Sequence, residues 1–133
     1  GKEKAPAAIC RKVALCHDGE EIEVWGDGLQ TRSFLYIDEC LEGTIRLTRS
    51  DCQVPLNIGS DEMVSVNSLV DMVSDIAGKT IVKKHIDGPL GVRGRNSDNR
   101  LIEMQLGWKP TRSLRPGLEK TYRWISDQIR RNH

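Results

Sequence analysis

The stretch Trp25-Gly26-Asp27-Gly28-Leu29-Gln30-Thr31-Arg32-Ser33-Phe34 constrains the fold more than any other part of the chain. Two glycines flanking an aspartate predict a tight turn, because Gly tolerates positive φ and Asp bonds its own backbone. β-like runs lie on either side, Glu21–Trp25 and Ser33–Ile37, and Asp38 then reads as the N-cap of a helix over Glu39–Arg49. The turn delivers Arg32 among three small hydrogen-bonding side chains, Gln30, Thr31 and Ser33. A guanidinium held in this way suits an anionic ligand, since its rigid fork matches phosphate and a Lys ammonium does not. A surface hairpin that happens to carry an Arg accounts for the same residues.

Helical and strand patterns alternate around this turn. Pro6–Leu15 reads as a helix, with Pro6 in its first turn and Ala7, Ile9, Cys10, Val13 and Ala14 as its apolar side. In the helix after the turn, Ile37, Leu41, Ile45 and Thr48 recur at three- and four-residue spacing. Val54–Gly59 is a short apolar run bounded by turn residues and predicts a buried strand for which the chain supplies few neighbours. Ser65 caps the next helix, Leu69, Val70, Val73, Ile76 and Ala77 form its stripe, and Gly78 ends it. Thr80–Ile86 is β-rich, and Asp87–Gly91 is a loop. A helix starting near Ser97 turns Leu101, Ile102 and Leu106 inward and stops at Gly107. Ser113 caps a last helix carrying Leu118, Tyr122, Ile125 and Ile129. The alternation predicts an α/β or α+β arrangement with non-adjacent strands.

At 133 residues the chain fits one domain with a real core. Its 20 basic residues balance 19 acidic ones, which argues against a general nucleic-acid or anionic-membrane binder. No apolar run approaches a membrane span and no signal-peptide pattern is present. Cysteines 10, 16, 40 and 52 form no CxxC pair, and histidines 17, 85 and 133 are scattered, so reduced thiols in a cytoplasmic protein are expected and no metal site. The chain opens Gly1-Lys2-Glu3-Lys4 without Met, which fits a processed, engineered or partial chain.

Three constellations suit chemistry. The first is Lys2, Glu3 and Lys4 ahead of Ala5-Pro6, with Lys12 further along the same helix. A Lys at a helix entry meets the positive end of the dipole, which favours the neutral amine that proton transfer needs. The second is Arg32 with its polar neighbours. The third is Gly91-Val92-Arg93-Gly94-Arg95-Asn96-Ser97, two Arg in a glycine-bearing loop before a helix. Arg32 and Arg95 converging on one diphosphate would hold it by charge-assisted hydrogen bonds. No G-x-G-x-x-G follows a strand, so no complete dinucleotide site is expected.

These residues also carry a resemblance. Glu3-Lys4-Ala5-Pro6-Ala7-Ala8, the Gly26–Phe34 stretch, Asn57-Ile58-Gly59-Ser60-Asp61-Glu62-Met63-Val64-Ser65, Gly91-Val92-Arg93-Gly94-Arg95-Asn96-Ser97-Asp98 and Leu106-Gly107-Trp108-Lys109-Pro110 resemble the GDP-mannose 3′,5′-epimerase family of extended short-chain dehydrogenases/reductases. The resemblance covers nearly the whole chain and implies its C-terminal, nucleotide-sugar-binding region, with the N-terminal Rossmann NAD-binding domain outside it. It implies that Val54–Gly59 is a strand of that missing sheet. In the family, bound NAD oxidises the sugar at C4′, an acid/base pair of a Cys and a Lys inverts the neighbouring centres, and the ketone is reduced again.

Carried over position by position, the resemblance makes Lys4 the catalytic Lys. It makes Glu3, Lys4, Ala5, Lys12, Gln30, Thr31, Arg32, Ser33 and Arg95 substrate-binding, and it leaves Arg93 without a role. None of the four cysteines takes the catalytic Cys position, and the Tyr-x-x-x-Lys motif is missing. Expected from the resemblance are GDP-sugar binding, no NAD bound by this chain alone and no activity alone. Self-association or pairing with a Rossmann domain is the expected partnership. A UDP- or dTDP-sugar enzyme of the same superfamily, or a non-catalytic interaction module of this fold, is the alternative.

Overall fold

The computed structural model describes residues 3–89 and 91–131. Lys2 of the charged entry, Leu90 of the loop before Gly91 and the terminal His133 lie outside them. Five helices and five short strands follow in the order α1 (Ala5–Leu15), β1 (Glu21–Trp25), β2 (Thr31–Arg32), α2 (Ile37–Thr48), β3 (Val64–Ser65), α3 (Val66–Ala77), β4 (Val82–Ile86), β5 (Gly94–Arg95), α4 (Arg100–Leu106) and α5 (Leu114–Arg131).

The core forms where α1, α3 and α5 pack together beside a parallel pair, β1 on β4. In that pair Glu21 registers with Val82 and Trp25 with Ile86, and β1 alternates, with Ile22 and Val24 turned inward. Cys10, Val13, Leu69, Val70 and Val73 are buried at its centre and Leu118 closes it from α5. Burying each of the larger aliphatic side chains contributes about 1.5–3 kcal/mol. The predicted signals act as expected in α3: the Ser65 hydroxyl accepts from Ser68 N, and Gly78 ends the helix at φ +65°. A second small sheet orders β3–β2–β5, with β3 antiparallel and β5 parallel to β2.

Four expectations are corrected. Phe34–Tyr36 is not a strand: extended pairing stops at Arg32 and α2 already begins at Ile37. Tyr36, not Asp38, occupies the N-cap of α2, without a side-chain cap, and Asp38 falls in the first turn, where a carboxylate suits the dipole. Val54–Gly59 forms no ladder among the described residues and Val54 is exposed, since a strand needs a neighbour to pair with. Helix α4 starts three residues later than predicted, at Arg100, and turns Leu101 outward while Ile102 is buried.

The apolar stripe of α2 is also exposed: Ile37, Leu41 and Ile45 are 55%, 53% and 48% accessible. What holds α2 is its other side. Buried Glu39 accepts from Thr111 N at 2.8 Å and Arg112 N at 3.0 Å, ahead of α5. Gly43 lies against Ile58 and Trp108 so closely that a Cβ would come within 2.8 Å of each. Glu62, rather than Ser113, bonds the first turn of α5, accepting from Leu114 N at 2.7 Å. Among the described residues no helix is long and apolar enough to cross a membrane.

Candidate nucleotide-sugar site

The turn after β1 is built from three sides. Gly26 and Gly28 both sit at φ +69°, and Asp27 Oδ1 accepts from Leu29 N at 2.9 Å. Asn67, in the first turn of α3, reaches across, donating from Nδ2 to Asp27 O at 3.0 Å and from its backbone to Gly28 O at 2.9 Å. A Cβ at Gly28 would collide with the Asn67 amide, so the position demands Gly both for its φ and for the close approach. His85 Nε2 lies 2.9 Å from Asn67 Oδ1 on the far side.

The turn feeds β2, and β2 gathers the loop that carries Arg95. Thr31 N donates to Arg93 O at 2.8 Å and Ser33 N to Arg95 O at 3.2 Å. Thr31 registers with Gly94, and Arg32 with Arg95. Gly94 leaves room for the Thr31 hydroxyl, which would stand 2.9 Å from a Cβ there. Gly91, at φ +61°, lies beside the Arg32 guanidinium. Arg32 also donates from Nη1 to Thr31 O at 2.7 Å, which orients the fork. The two arginines that sequence reasoning paired, 63 positions apart in the chain, thus flank one ladder.

A cavity of about 290 Å3 opens at this ladder, lined by Arg32, Ser33, the Asn57–Gly59 backbone segment and Arg95–Ser97. Its wall is fixed by Ser97 N donating to Ser60 O at 3.2 Å and Asn99 Nδ2 to Gly59 O at 3.0 Å. Two guanidiniums, two serines and two asparagines around a small concavity suit an oxyanion such as phosphate.

A second, more apolar cavity of about 570 Å3 lies between α1, β1 and α3, and Glu3, Ala5, Lys12, Trp25 and Gln30 line it. Gln30 is buried, donating from Nε2 to Trp25 O at 3.1 Å, while its Oε1 has no partner among the described residues. An orphaned buried acceptor is costly, and it lies in the wall that Gln30 contributes to this cavity. Lys12 bridges α1 to β1, donating from Nζ to Glu23 O at 2.8 Å. Glu3 is held below the usual carboxylate range, first by its own backbone N–H and further by Arg11 at 3.5 Å.

The predicted residues therefore divide between two cavities joined by β2. Arg32, Ser33 and Arg95 line one, Glu3, Ala5, Lys12 and Gln30 line the other, and Thr31 lies in the strand between them. Lys4 lines neither; it is exposed at the N-cap of α1, next to Glu3 and Ala5. The structure adds Trp25, Asn57–Gly59 and Ser97. Trp25 belongs to the turn motif and could have been read from it; Asn57–Gly59 was hidden by its reading as a buried strand. A further concavity, about 800 Å3, holds none of the predicted site residues and runs along the exposed α2 stripe between Leu41, Ile45, Arg49 and Leu106.

Residues 1–59 match the family model described as the NAD dependent epimerase/dehydratase family. The GDP-mannose 3,5-epimerase of Arabidopsis thaliana is 58% identical over 129 residues, covering 97% of this chain and 34% of that protein. The dTDP-4-dehydro-6-deoxy-D-allose reductase of Streptomyces bikiniensis is 34% identical over 119 residues, covering 89% of this chain and 36% of that protein. The crystal structure of UDP-glucuronic acid 4-epimerase from Bacillus cereus, in complex with UDP-glucuronic acid and NAD, matches with a TM-score of 0.83 at 28% identity. That match covers 95% of this chain and 40% of the epimerase. The chain spans about a third of the length of the curated relatives it matches.

Proposed function

We propose, on the premise that this chain is a homologue of the GDP-mannose 3,5-epimerases within the NAD dependent epimerase/dehydratase family, that it is the nucleotide-sugar-binding portion of an NAD-dependent sugar epimerase and takes GDP-mannose. The observation that carries this reading is the Arg32–Arg95 register pair on the rim of a cavity of about 290 Å3. In this assignment Arg32 and Arg95 grip the diphosphate and Ser33 hydrogen-bonds it. The more apolar cavity takes the nucleoside against Trp25, with Gln30 in its wall. Glu3, Ala5 and Lys12 line the same space, and Thr31 spaces the two cavities along β2.

Lys4 takes the proton-transferring role at the sugar. A carbonyl at C4′ acidifies the neighbouring C–H bonds, so an amine on one side can return or remove the proton there. The thiol partner lies outside this chain: no cysteine lines either cavity, and burial pushes Cys10 up to about 11, away from a reactive thiolate.

NAD supplies the hydride chemistry in this family, and the described residues do not fit it. Strand β3 runs into α3 with no glycine loop between them, and the Ser65 hydroxyl already closes the first turn of α3. Hydride transfer is therefore assigned to no residue here. We assign the cofactor to the part of the fold that this chain does not span. The exposed stripe of Ile37, Leu41 and Ile45 and the unpaired Val54–Gly59 segment supply an apolar face and an unpartnered backbone for that part to cover.

Titration of the chain with GDP-mannose, GDP and UDP-glucose by calorimetry tests the reading. Binding of both GDP ligands, preferred over UDP-glucose and weakened by the Arg32→Ala, Arg95→Ala double variant, is expected. No deuterium should enter GDP-mannose at C3′ or C5′ from D2O with this chain alone. Equal affinity for the double variant, or deuterium incorporation, would overturn the assignment. Tighter binding of UDP-glucose would move the chain to the UDP-sugar branch of the superfamily.

A further inference from the structure

Arg93 carries no role in the reading above, yet it makes an ion pair that joins the two segments presenting Arg32 and Arg95. Its guanidinium meets the Asp27 carboxylate with both prongs, Nη2 to Oδ2 at 3.0 Å and Nη1 to Oδ1 at 3.2 Å. Asp27 sits at the tip of the turn, where the same Oδ1 accepts from Leu29 N. The residues are 66 positions apart, and directly below the pair the backbone of Arg93 accepts from Thr31 N at 2.8 Å. The ion pair thus closes the open end of a ladder only two residues long, Thr31–Arg32 on Gly94–Arg95.

We propose that Asp27 and Arg93 form a latch that sets the spacing of the diphosphate clamp, so that both are positioning residues for nucleotide-sugar binding. The inference rests on the reading of Arg32 and Arg95 as that clamp. A two-residue parallel ladder has few hydrogen bonds to resist fraying, and β5 is exposed. The glycines at 91 and 94 add backbone freedom to the loop. Without a tether, Arg95 would sample positions away from Arg32, and the fraction of time in which both grip one anion would fall. A fork-to-carboxylate pair restrains direction as well as distance, which a single contact does not. Arg93 cannot itself be a second grip on the diphosphate while both of its prongs are spent on Asp27. The carboxylate is held below its usual range first by the Leu29 N–H and then by Arg93, so Asp27 carries its charge throughout the neutral range.

The test is a double-variant cycle on this chain with two readouts. Asp27→Asn keeps an Oδ1 acceptor for Leu29 N and removes the charge and the Oδ2 acceptor that faces Arg93; Arg93→Gln removes the fork. Each single variant should weaken GDP binding about threefold to fivefold, in the range of exposed ion pairs, and the double variant should be no weaker than either single one. Amide hydrogen exchange at Thr31 and Ser33, whose N–H groups bond Arg93 O and Arg95 O, should quicken in all three, while the thermal midpoint stays at that of the parent. Parent chain that binds GDP through Arg32 and Arg95, with affinity and exchange untouched in Asp27→Asn and Arg93→Gln, would overturn the latch and leave the clamp standing. Faster exchange in the variants of a chain that binds neither GDP nor GDP-mannose would sustain the latch as a structural tether and overturn the nucleotide-sugar reading. Additive losses in the cycle would show that the two residues act separately and overturn the latch.

Discussion

Arg32 and Arg95 are register partners in a parallel ladder, so two cations are held side by side at the mouth of a cavity of about 290 Å3. Like charges placed opposite one another in a sheet oppose pairing. An anion bridging them would convert that opposition into attraction, and its binding would then be linked to the stability of the β2–β5 ladder.

The first prediction follows from that linkage. Pyrophosphate or GDP at a hundredfold excess over its Kd should stabilise the chain by about 2.7 kcal/mol, the amount that mass action dictates for one site. A thermal-shift series in low salt should therefore show a rising midpoint for the parent and a flat one for Arg32→Ala, Arg95→Ala. A double variant that shifts as much as the parent would place the anion elsewhere.

Gly28 governs the turn that presents Arg32. Gly28→Ala meets both a φ of +69° and the Asn67 amide, and Asn67 is the residue that bonds Asp27 O and Gly28 O. A cost of about 1–3 kcal/mol is expected for a side chain held in this region. Urea denaturation should show it as a lower midpoint with an unchanged slope, and Gly19→Ala, at φ +84° with open space around it, should cost less.

Much of the fold was legible in local pattern, whereas what covers a face or pairs with a segment was not. Helices α1 and α3 carry their own signals, Pro6 at one entry and Ser65 and Gly78 at the ends of the other, and each buries its stripe against elements of this same chain. The stripe of α2 was legible as amphipathic, but periodicity reports which residues share a face and not what covers it. Ile37, Leu41 and Ile45 remain exposed because nothing in the described residues packs on them. Val54–Gly59 reads as a strand by composition and lacks a partner for its backbone, so it stays irregular. The pairing of Arg32 with Arg95 depends on a long-range register that no local window contains; the motif residues pointed to it only through chemistry. Lys79 stands in no local pattern that marks its role.

Lys79 is in fact the cap of α1. Its Nζ donates to Cys16 O at 2.6 Å, Val13 O at 2.8 Å and Ala14 O at 3.2 Å, satisfying carbonyls that the helix end leaves open. It also ties the loop after α3 to α1, the helix whose side chains line the larger cavity. Lys79→Met keeps the aliphatic stem and removes the donor, and it should destabilise the chain by about 1–3 kcal/mol. Chemical denaturation of this variant checks it; a loss no larger than that of an exposed Lys84→Met would rule out the cap.

Cys10 makes a pH prediction with a definite sign. Its thiol is buried in the core, and burial raises it from 9.0 to about 11. The unfolded chain releases this proton near the ordinary value while the folded chain retains it, so between pH 9 and 11 the folded state binds more protons. Stability contributed by the neutral thiol is complete below pH 9 and is lost as pH rises through that window, with a slope of up to about 1.4 kcal/mol per pH unit from this one group. Cys10→Ala removes the titrating group and flattens the alkaline limb, at the expense of a small cavity that lowers stability equally at every pH. Urea midpoints measured from pH 7.5 to 10.5 for the two proteins separate these effects: the curves should converge as pH rises. Parallel curves would mean that Cys10 ionises as freely in the folded chain as in the unfolded one.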